Sequence, residues 1–289
     1  MIIADSGCLD IGQAFFREST NLGGTPILVE MNPLEEHGNE PPEIIASILK
    51  QCDIFIIPTT KSITHTKARR EACLYGARGI TLPGITEDIF IRTIPIDYKR
   101  LSRRTEKIAR LLTGANSVYI ESEKGTDLRL DIHHQSGHAD SGLVLKPGAF
   151  SNLPAGEAYI APVSGHGRLV IDGSVASIGL IKKTITIEIQ DGKAVSIRED
   201  HQRLRRILSG HGPSALTIGE FGIGTNDHAV ISGNILEDEK ASGTAHIAFG
   251  DNLGFGGDNS APVHIDCLIR KPTITVDNRK ILQNGNFIV

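Results

Sequence analysis

Asp53-Ile-Phe-Ile-Ile-Pro58 is a continuous apolar run closed by a proline. That texture predicts a strand covered on both faces, as in the parallel sheets of α/β proteins. The flanking sequence agrees. Upstream, Pro41-Pro42-Glu43 opens a helical stretch reaching Lys50, with proline where the first turn has no N–H to bond. Before it lie a strand at 26–30, a helical pattern of Ile11, Ala14, Phe15 and Leu22 stopped by Gly23-Gly24, and a short apolar run at 2–4. Downstream, Thr64 or Thr66 can cap a helix running to Gly76, and 79–82 is a fourth strand. Tyr98, Leu101, Ile108, Leu111 and Leu112 then fall at helical spacing, which predicts an amphipathic helix over 97–112. Strands alternating with helices imply a Rossmann-like, doubly wound parallel sheet.

After residue 113 the texture changes. Short β-rich runs at 117–121, 128–132, 168–171, 184–189, 194–197 and 273–276 are separated by turn signals such as Asp172-Gly173, Asp191-Gly192 and Asp277-Asn278. Only 201–209 and 239–242 look helical. The expected organisation is an α/β Rossmann-like domain over 1–112 followed by a β-rich α+β metal-binding domain over 113–289. Composition bounds the partners. Of 289 residues, 39% are hydrophobic and 22% charged, so a core of useful size is available. The formal net charge of -4 offers no basic field to nucleic acid. No apolar run nears the roughly 18 residues of a membrane span, and Met-Ile-Ile-Ala-Asp5 lacks the basic flank of a signal peptide. Cys8, Cys52, Cys73 and Cys267 are far apart and read as reduced thiols, which predicts a cytoplasmic protein.

The candidate chemistry gathers in the second half. Asn152-Leu-Pro-Ala-Gly-Glu157, Glu220-Phe-Gly-Ile-Gly-Thr-Asn226, Glu237-Asp-Glu239, Thr244-Ala-His246-Ile-Ala248 and Val263-His264-Ile-Asp266-Cys267 each set a carboxylate or imidazole beside glycine or inside an apolar β segment. Charged groups seldom occupy such settings unless paired or bound to metal. The spacing of His264 and Asp266 is the most informative: residues i and i+2 of a strand face the same way, so imidazole and carboxylate project together while Ile265 and Cys267 point into a core. His246 lies in an equally apolar run with small neighbours. Nitrogen and carboxylate ligands of this kind suit Zn, Mn, Co or Fe(II). Taken singly, each residue is more often a satisfied structural group; five such stretches together shift the balance toward a site. Other signals are weaker. His133-His134-x3-His138 sits among Ser and Gly and reads as a surface loop, and Gly254-Phe-Gly-Gly257 reads as a loop beside the ligands, not a dinucleotide loop. His65, Lys67 and Arg69 follow a strand's C-terminal end, where α/β sheets bind ligands, but a capped helix with solvated basic residues explains them equally well.

These motifs, together with His65-Thr-Lys-Ala-Arg-Arg-Glu-Ala72, resemble the M29 metallo-aminopeptidases, the aminopeptidase T/S type that includes thermophilic leucyl aminopeptidase. The resemblance implies a dinuclear site for two divalent ions (Zn, Co or Mn) held by Glu157, Glu220, Glu239, His246, His264 and Asp266, in a homodimer acting on a peptide or small-molecule substrate. It leaves Glu237 or Glu239 open as the ligand and Glu220 or Glu239 as the general base. The implied activity is release of N-terminal amino acids by metal-assisted hydrolysis. No tyrosine follows His246 at the place where that family carries one; Asp251-Asn-Leu-Gly-Phe255 stands there. Two alternatives use the same residues. His246, His264 and Asp266 make the two-histidine, one-carboxylate set of mononuclear Fe(II) oxygenases, and the related dihydroxypyridine ring-cleaving dioxygenases resemble this chain in fold and motif. A non-catalytic paralogue is the third.

Overall fold

The structure, a computed structural model, describes residues 1–198 and 202–289. The chain divides into two compact units. Met1–Tyr98 with Gly142–Ala155 form the first, and Lys99–Ser141 with Gly156–Val289 the second.

The first unit is built on a five-stranded, all-parallel sheet in the order Leu28–Met31, Ile2–Asp5, Ile54–Thr59, Arg78–Pro83, Phe150–Asn152. The apolar run at 53–58 is its central strand, with Phe55 and Ile57 wholly buried. Helices Leu9–Asn21, Glu43–Leu49, Lys67–Leu74 and Glu87–Thr93 alternate with the first four strands. Of the two possible caps, Thr66 starts the third helix, its side chain accepting from the Arg69 N–H. The sequence patterns did not reveal Glu87–Thr93 or the fifth strand. That strand is supplied by Phe150–Asn152, which follows the second unit's first segment in sequence.

The second unit holds two antiparallel sheets. One has eight strands, in the order Lys193–Arg198, Ile185–Gln190, Ser164–Ile171, Asp127–Asp131, Ser117–Glu121, Thr273–Val276, Arg279–Gln283, Asn286–Phe287. The other has seven, in the order Gly179–Leu180, Ser174–Val175, His264–Ile269, Ala245–Gly250, Ile218–Gly224, Glu157–Ile160, His138–Asp140. Asp191 and Gly192 both take positive φ, 50° and 72°, in the tight hairpin that their sequence predicts. One continuous core joins the inner faces of both sheets. Val118, Ile120, Leu130 and Ile187 come from the first, and Ile160, Phe221, Ile247, Ile265 and Cys267 from the second.

The compact units divide the chain differently from the expected domains in two respects. The boundary expected at 112/113 lies at 98/99, because Tyr98–Leu112 buries Ile108, Ala109 and Leu112 in the core of the second unit. The second domain is also interrupted, since 142–155 belongs to the first unit. The expected helix at 201–209 is found as Arg203–Gly210, its first residue lying outside the described residues. The expected helix at 239–242 is instead the short turn Ile235–Asp238, capped by the Asn234 side chain. Among the described residues no helix is long and apolar enough to cross a membrane.

Candidate metal centre

Strand register puts five of the six candidate ligands on one face of the seven-stranded sheet, and Glu239 comes from the end of the turn Ile235–Asp238. Cross-strand partners share a face: His138 pairs with Tyr159 and Asp140 with Glu157; Glu157 pairs with Gly224 and Tyr159 with Gly222; Gly222 pairs with His246 and Glu220 with Ala248; Ala248 pairs with Asp266 and Gly250 with His264. The alternate residues Ala158, Ile160, Phe221, Ile223, Ile247, Ile265 and Cys267 fill the core beneath, as the His264–Asp266 spacing predicts for its two neighbours. Polar alternation along five strands therefore builds the site.

Glycine makes room for it. A Cβ on Gly222 would stand 2.2 Å from His246 Cε1 and 2.3 Å from Nε2, so the imidazole lies directly over that glycine. A Cβ on Gly224 would strike the Ala241 carbonyl at 2.1 Å, so the segment carrying Glu239 and Lys240 runs close against the strand. Asn226 then holds that segment: its N–H donates to the Lys240 carbonyl and its carbonyl accepts from the Ser242 N–H. The two glycines of Glu220–Asn226 are required by these close approaches, and the Asn226 side-chain carbonyl accepts from the His228 N–H at 2.9 Å.

All six residues expected as ligands meet here, in two groups whose potential ligand atoms lie within 4.8 Å of one another: Glu157, Glu239 and His246; and Glu220, His264 and Asp266. His246 is buried, its Nε2 3.1 Å from Glu220 Oε1 and 3.4 Å from Glu157 Oε2. His264 is 29% exposed, its Nε2 3.4 Å from Asp266 and 3.6 Å from Glu220. Its Nδ1 lies 2.8 Å from the Asp251 carbonyl, which can only accept. Nδ1 therefore carries the proton, and in the neutral ring the Nε2 lone pair faces the carboxylates.

Glu237 and Glu239 separate cleanly. Glu237 is buried away from the cluster, accepting from the Val230 N–H at 2.9 Å and the Ser232 hydroxyl at 3.1 Å, whereas Glu239 joins it.

The electrostatics are those of crowded buried carboxylates. Burial pushes Glu239 up to about 8 against the pull of Lys240, and it raises Glu157 in the same way. Burial opposes charge on His246, but its hydrogen bond to Glu220 and the field of Glu157 outweigh this and push it up to about 9. Asp266 does the same for His264, up to about 10. Burial disfavours charge on Asp266 too, yet His264 holds it well below the usual carboxylate range. Lys240 is desolvated, but Glu157, Glu239 and Asp140 keep it charged.

This environment fits a divalent cation. Five carboxylates (Asp140, Glu157, Glu220, Glu239, Asp266) converge with two imidazoles and one ammonium. Two polar atoms buried in the cluster, His246 Nδ1 and Glu157 Oε2, make no hydrogen bond among the described residues. Imidazole and carboxylate together select Zn, Mn or Fe(II) over softer metals.

Sequence reasoning missed several neighbours. His138, set aside as part of a surface loop, stands on the site face and stacks on Tyr159 at 5.3 Å between centroids. Phe255 closes an edge-to-face arrangement with Tyr159 at 5.4 Å and with His264 at 6.1 Å. Together these rings form an aromatic cluster that meets His264 through Phe255. Burial, and then the charge of Glu220, push the Tyr159 phenol well above its usual range, so it stays protonated. Asp140 and Lys240 were missed as well. The signal for His138 and Asp140 was present, since His138-Ala-Asp140 repeats the spacing of His264-Ile-Asp266. His133 lies outside the cluster and pairs with Asp131 at 2.6 Å. In the first unit, Arg69 donates to the Thr64 carbonyl at 2.7 Å and stacks on Phe150 at 4.2 Å, while Lys67 is an exposed partner of Glu71. Helix capping and packing account for that segment.

A parallel α/β unit and a unit of two antiparallel sheets, with histidines and carboxylates gathered on one sheet face, make this a candidate metal-binding protein. The family model of 2,5-dihydroxypyridine 5,6-dioxygenase matches residues 23–289, and the chain belongs to that family. It is 23% identical over 252 residues to the 2,5-dihydroxypyridine 5,6-dioxygenase of Pseudomonas putida KT2440, covering 81% of this chain and 71% of that one. The structure of the 2,5-dihydroxypyridine dioxygenase from the same organism superposes with a TM-score of 0.85 at 18% identity, over 100% of this chain and 91% of the other. AmpT from Thermus thermophilus superposes with a TM-score of 0.75 at 17% identity, over 100% and 94%. The aminopeptidase resemblance therefore holds as a shared fold, and the family is that of the dioxygenases.

Proposed function

We propose that this chain is a ring-cleaving dioxygenase for a dihydroxylated nitrogen heteroaromatic, using one Fe(II). The observation that carries the reading is the convergence of His246, His264 and Asp266 on one face of two adjacent strands, beside a wall of rings. Two imidazoles and one carboxylate are the ligand set of non-haem iron oxygenases. Family membership supports the reaction class.

Bound by these residues, Fe(II) supplies the redox chemistry that makes dioxygen reactive toward the ring. Both oxygen atoms enter the product as a ring carbon–carbon bond breaks, so no outside reductant is needed. The chain's own groups do the rest. The Asp251 carbonyl fixes the His264 tautomer. Phe255 and Tyr159 offer apolar faces and edges to a planar substrate. The Tyr159 phenol keeps its proton and can donate it in a hydrogen bond. Glu220 Oε2, 3.6 Å from His264 Nε2, is placed to accept the proton lost from a ring hydroxyl.

The test is oxygen uptake by protein loaded anaerobically with Fe(II) and mixed with 2,5-dihydroxypyridine. One oxygen consumed per ring lost, abolished in His264→Ala and Asp266→Ala, is the expected result. No uptake by iron-loaded protein sinks the proposal. The second ligand group, Glu157, Glu239 and His246, favours a second reading, a dinuclear hydrolase. Cleavage of aminoacyl amides by protein loaded with Zn, Co or Mn is its test.

A further inference from the structure

Two ligand groups share the sheet face, and they differ in one respect. Glu220, His264 and Asp266 form no ion pair with lysine or arginine among the described residues, whereas the other group surrounds an ammonium. Lys240 is 1% exposed; its Nζ donates to Glu157 Oε1, lies 2.7 Å from Glu239 Oε1 and 3.7 Å from Asp140 Oδ2. Its backbone fixes this aim: the N–H donates to the Glu237 carbonyl, and the carbonyl accepts from the Asn226 N–H. An ammonium has three N–H donors, and three carboxylates stand around this one.

We propose that Lys240 is the resident cation between Glu157 and Glu239 and restricts the chain to one metal ion, held by His264 and Asp266 together with His246, whose Nε2 lies 3.1 Å from Glu220 on that side. A divalent ion ligated by Glu157 and Glu239 would stand roughly 2 Å from their oxygens. The Lys240 ammonium already contacts one oxygen of each. Two like charges would then be neighbours in a desolvated site, where their repulsion is least screened. One ammonium supplies part of the charge compensation a metal would bring, and it brings no open coordination position. A scaffold with two ligand groups is thereby confined to a single reactive centre. The inference rests on the metal-binding half of the functional reading and is separable from the reaction itself.

The experiment is metal stoichiometry, read by elemental mass spectrometry after Mn(II) loading and gel filtration. Wild-type protein is expected to hold one ion per chain, Lys240→Met and Lys240→Gln two, and Lys240→Arg one. Because removing a buried cation among carboxylates can prevent folding, Mn(II) electron paramagnetic resonance of the wild type is a second readout. An isolated-ion spectrum is expected, and a spin-coupled pair overturns the proposal. Two ions in the wild type, or only one in folded Lys240→Met and Lys240→Gln, also overturns it. No ion in the wild type overturns the proposal and the dioxygenase reading together, whereas one ion in the wild type and two in Lys240→Met without oxygen uptake sinks the dioxygenase reading alone. No ion in any variant sinks both.

Discussion

Gly222→Ala is the most revealing single change in this molecule. The added methyl is placed 2.2 Å from the His246 ring, more than 1 Å inside ordinary contact. Gly222 lies in a strand, so alanine is tolerated by the backbone and the effect is steric alone. The ring has nowhere to go, since it is fully buried with Glu220 and Glu157 at 3.1 and 3.4 Å from Nε2. Relief requires breaking the bond to Glu220. Overpacking costs about 1–3 kcal/mol, and a lost charge-assisted hydrogen bond costs about 1.5–3 kcal/mol. The expected loss is therefore roughly 2.5–6 kcal/mol. In a unit of about 180 residues this lowers the melting temperature by on the order of 10 °C. Metal affinity should fall about 10- to 100-fold, as it does when a ligand's orientation is disturbed. Thermal melting and metal titration read both effects. A double-mutant cycle separates the cause: paired with His246→Ala, the glycine change should cost little. A Gly222→Ala protein with wild-type melting and affinity would refute the placement of the imidazole.

Three further outcomes follow from the same geometry. Glu237→Gln should lower stability by about 1–3 kcal/mol, because it loosens the bonds to Val230 and Ser232, and should leave metal content unchanged; Glu239→Gln should instead alter the metal site, and equal metal content in both variants contradicts the division. Metal-free protein should melt lower at pH 9 than at pH 6.5. The stabilisation from protonated His246 and His264 is complete below 6.5 and lost as pH rises through about 9 and 10, and Glu239, pushed up to about 8, adds loss in the same direction from 4.5 upward. Over that interval the melting shift produced by added metal should grow, since binding no longer has to expel these protons; a flat or declining shift opposes it. Phe255→Ala should raise KM for an aromatic substrate several-fold with a smaller change in kcat, because the ring flanks His264 and carries no ligand atom of its own; steady-state kinetics with an unchanged KM removes Phe255 from the substrate wall.

Much of the architecture was legible because its signals are local. The apolar run at 53–58 gave the central parallel strand, and the spacing of His264 and Asp266 placed both on one face with Ile265 and Cys267 beneath. His138 and Asp140 carry the same spacing but were hidden by their Ser and Gly neighbours, which describe a loop until a strand partner is supplied by Glu157–Ile160. Lys240 was hidden for another reason. A lysine is ordinarily solvated, and only the approach of Glu157 and Asp140, 83 and 100 positions away, makes it a buried cation. The adjacent acids Glu237 and Glu239 look equivalent in sequence; their separation depends on which way a four-residue turn points each side chain.

The sequence by itself determined the periodicities: an α/β segment, a run of short strands, and imidazoles and carboxylates at strand spacing in glycine-bearing motifs. Those are properties of a few consecutive residues, fixed by backbone geometry and the pattern of apolar side chains. The tertiary structure alone decided that residues from 138 to 266 share one face, that the 98–112 helix belongs to the second core, and that 150–152 completes the first sheet. Each of these depends on strand order and register. Both are set by which apolar faces can be buried together across long loops, and no local spacing encodes that choice.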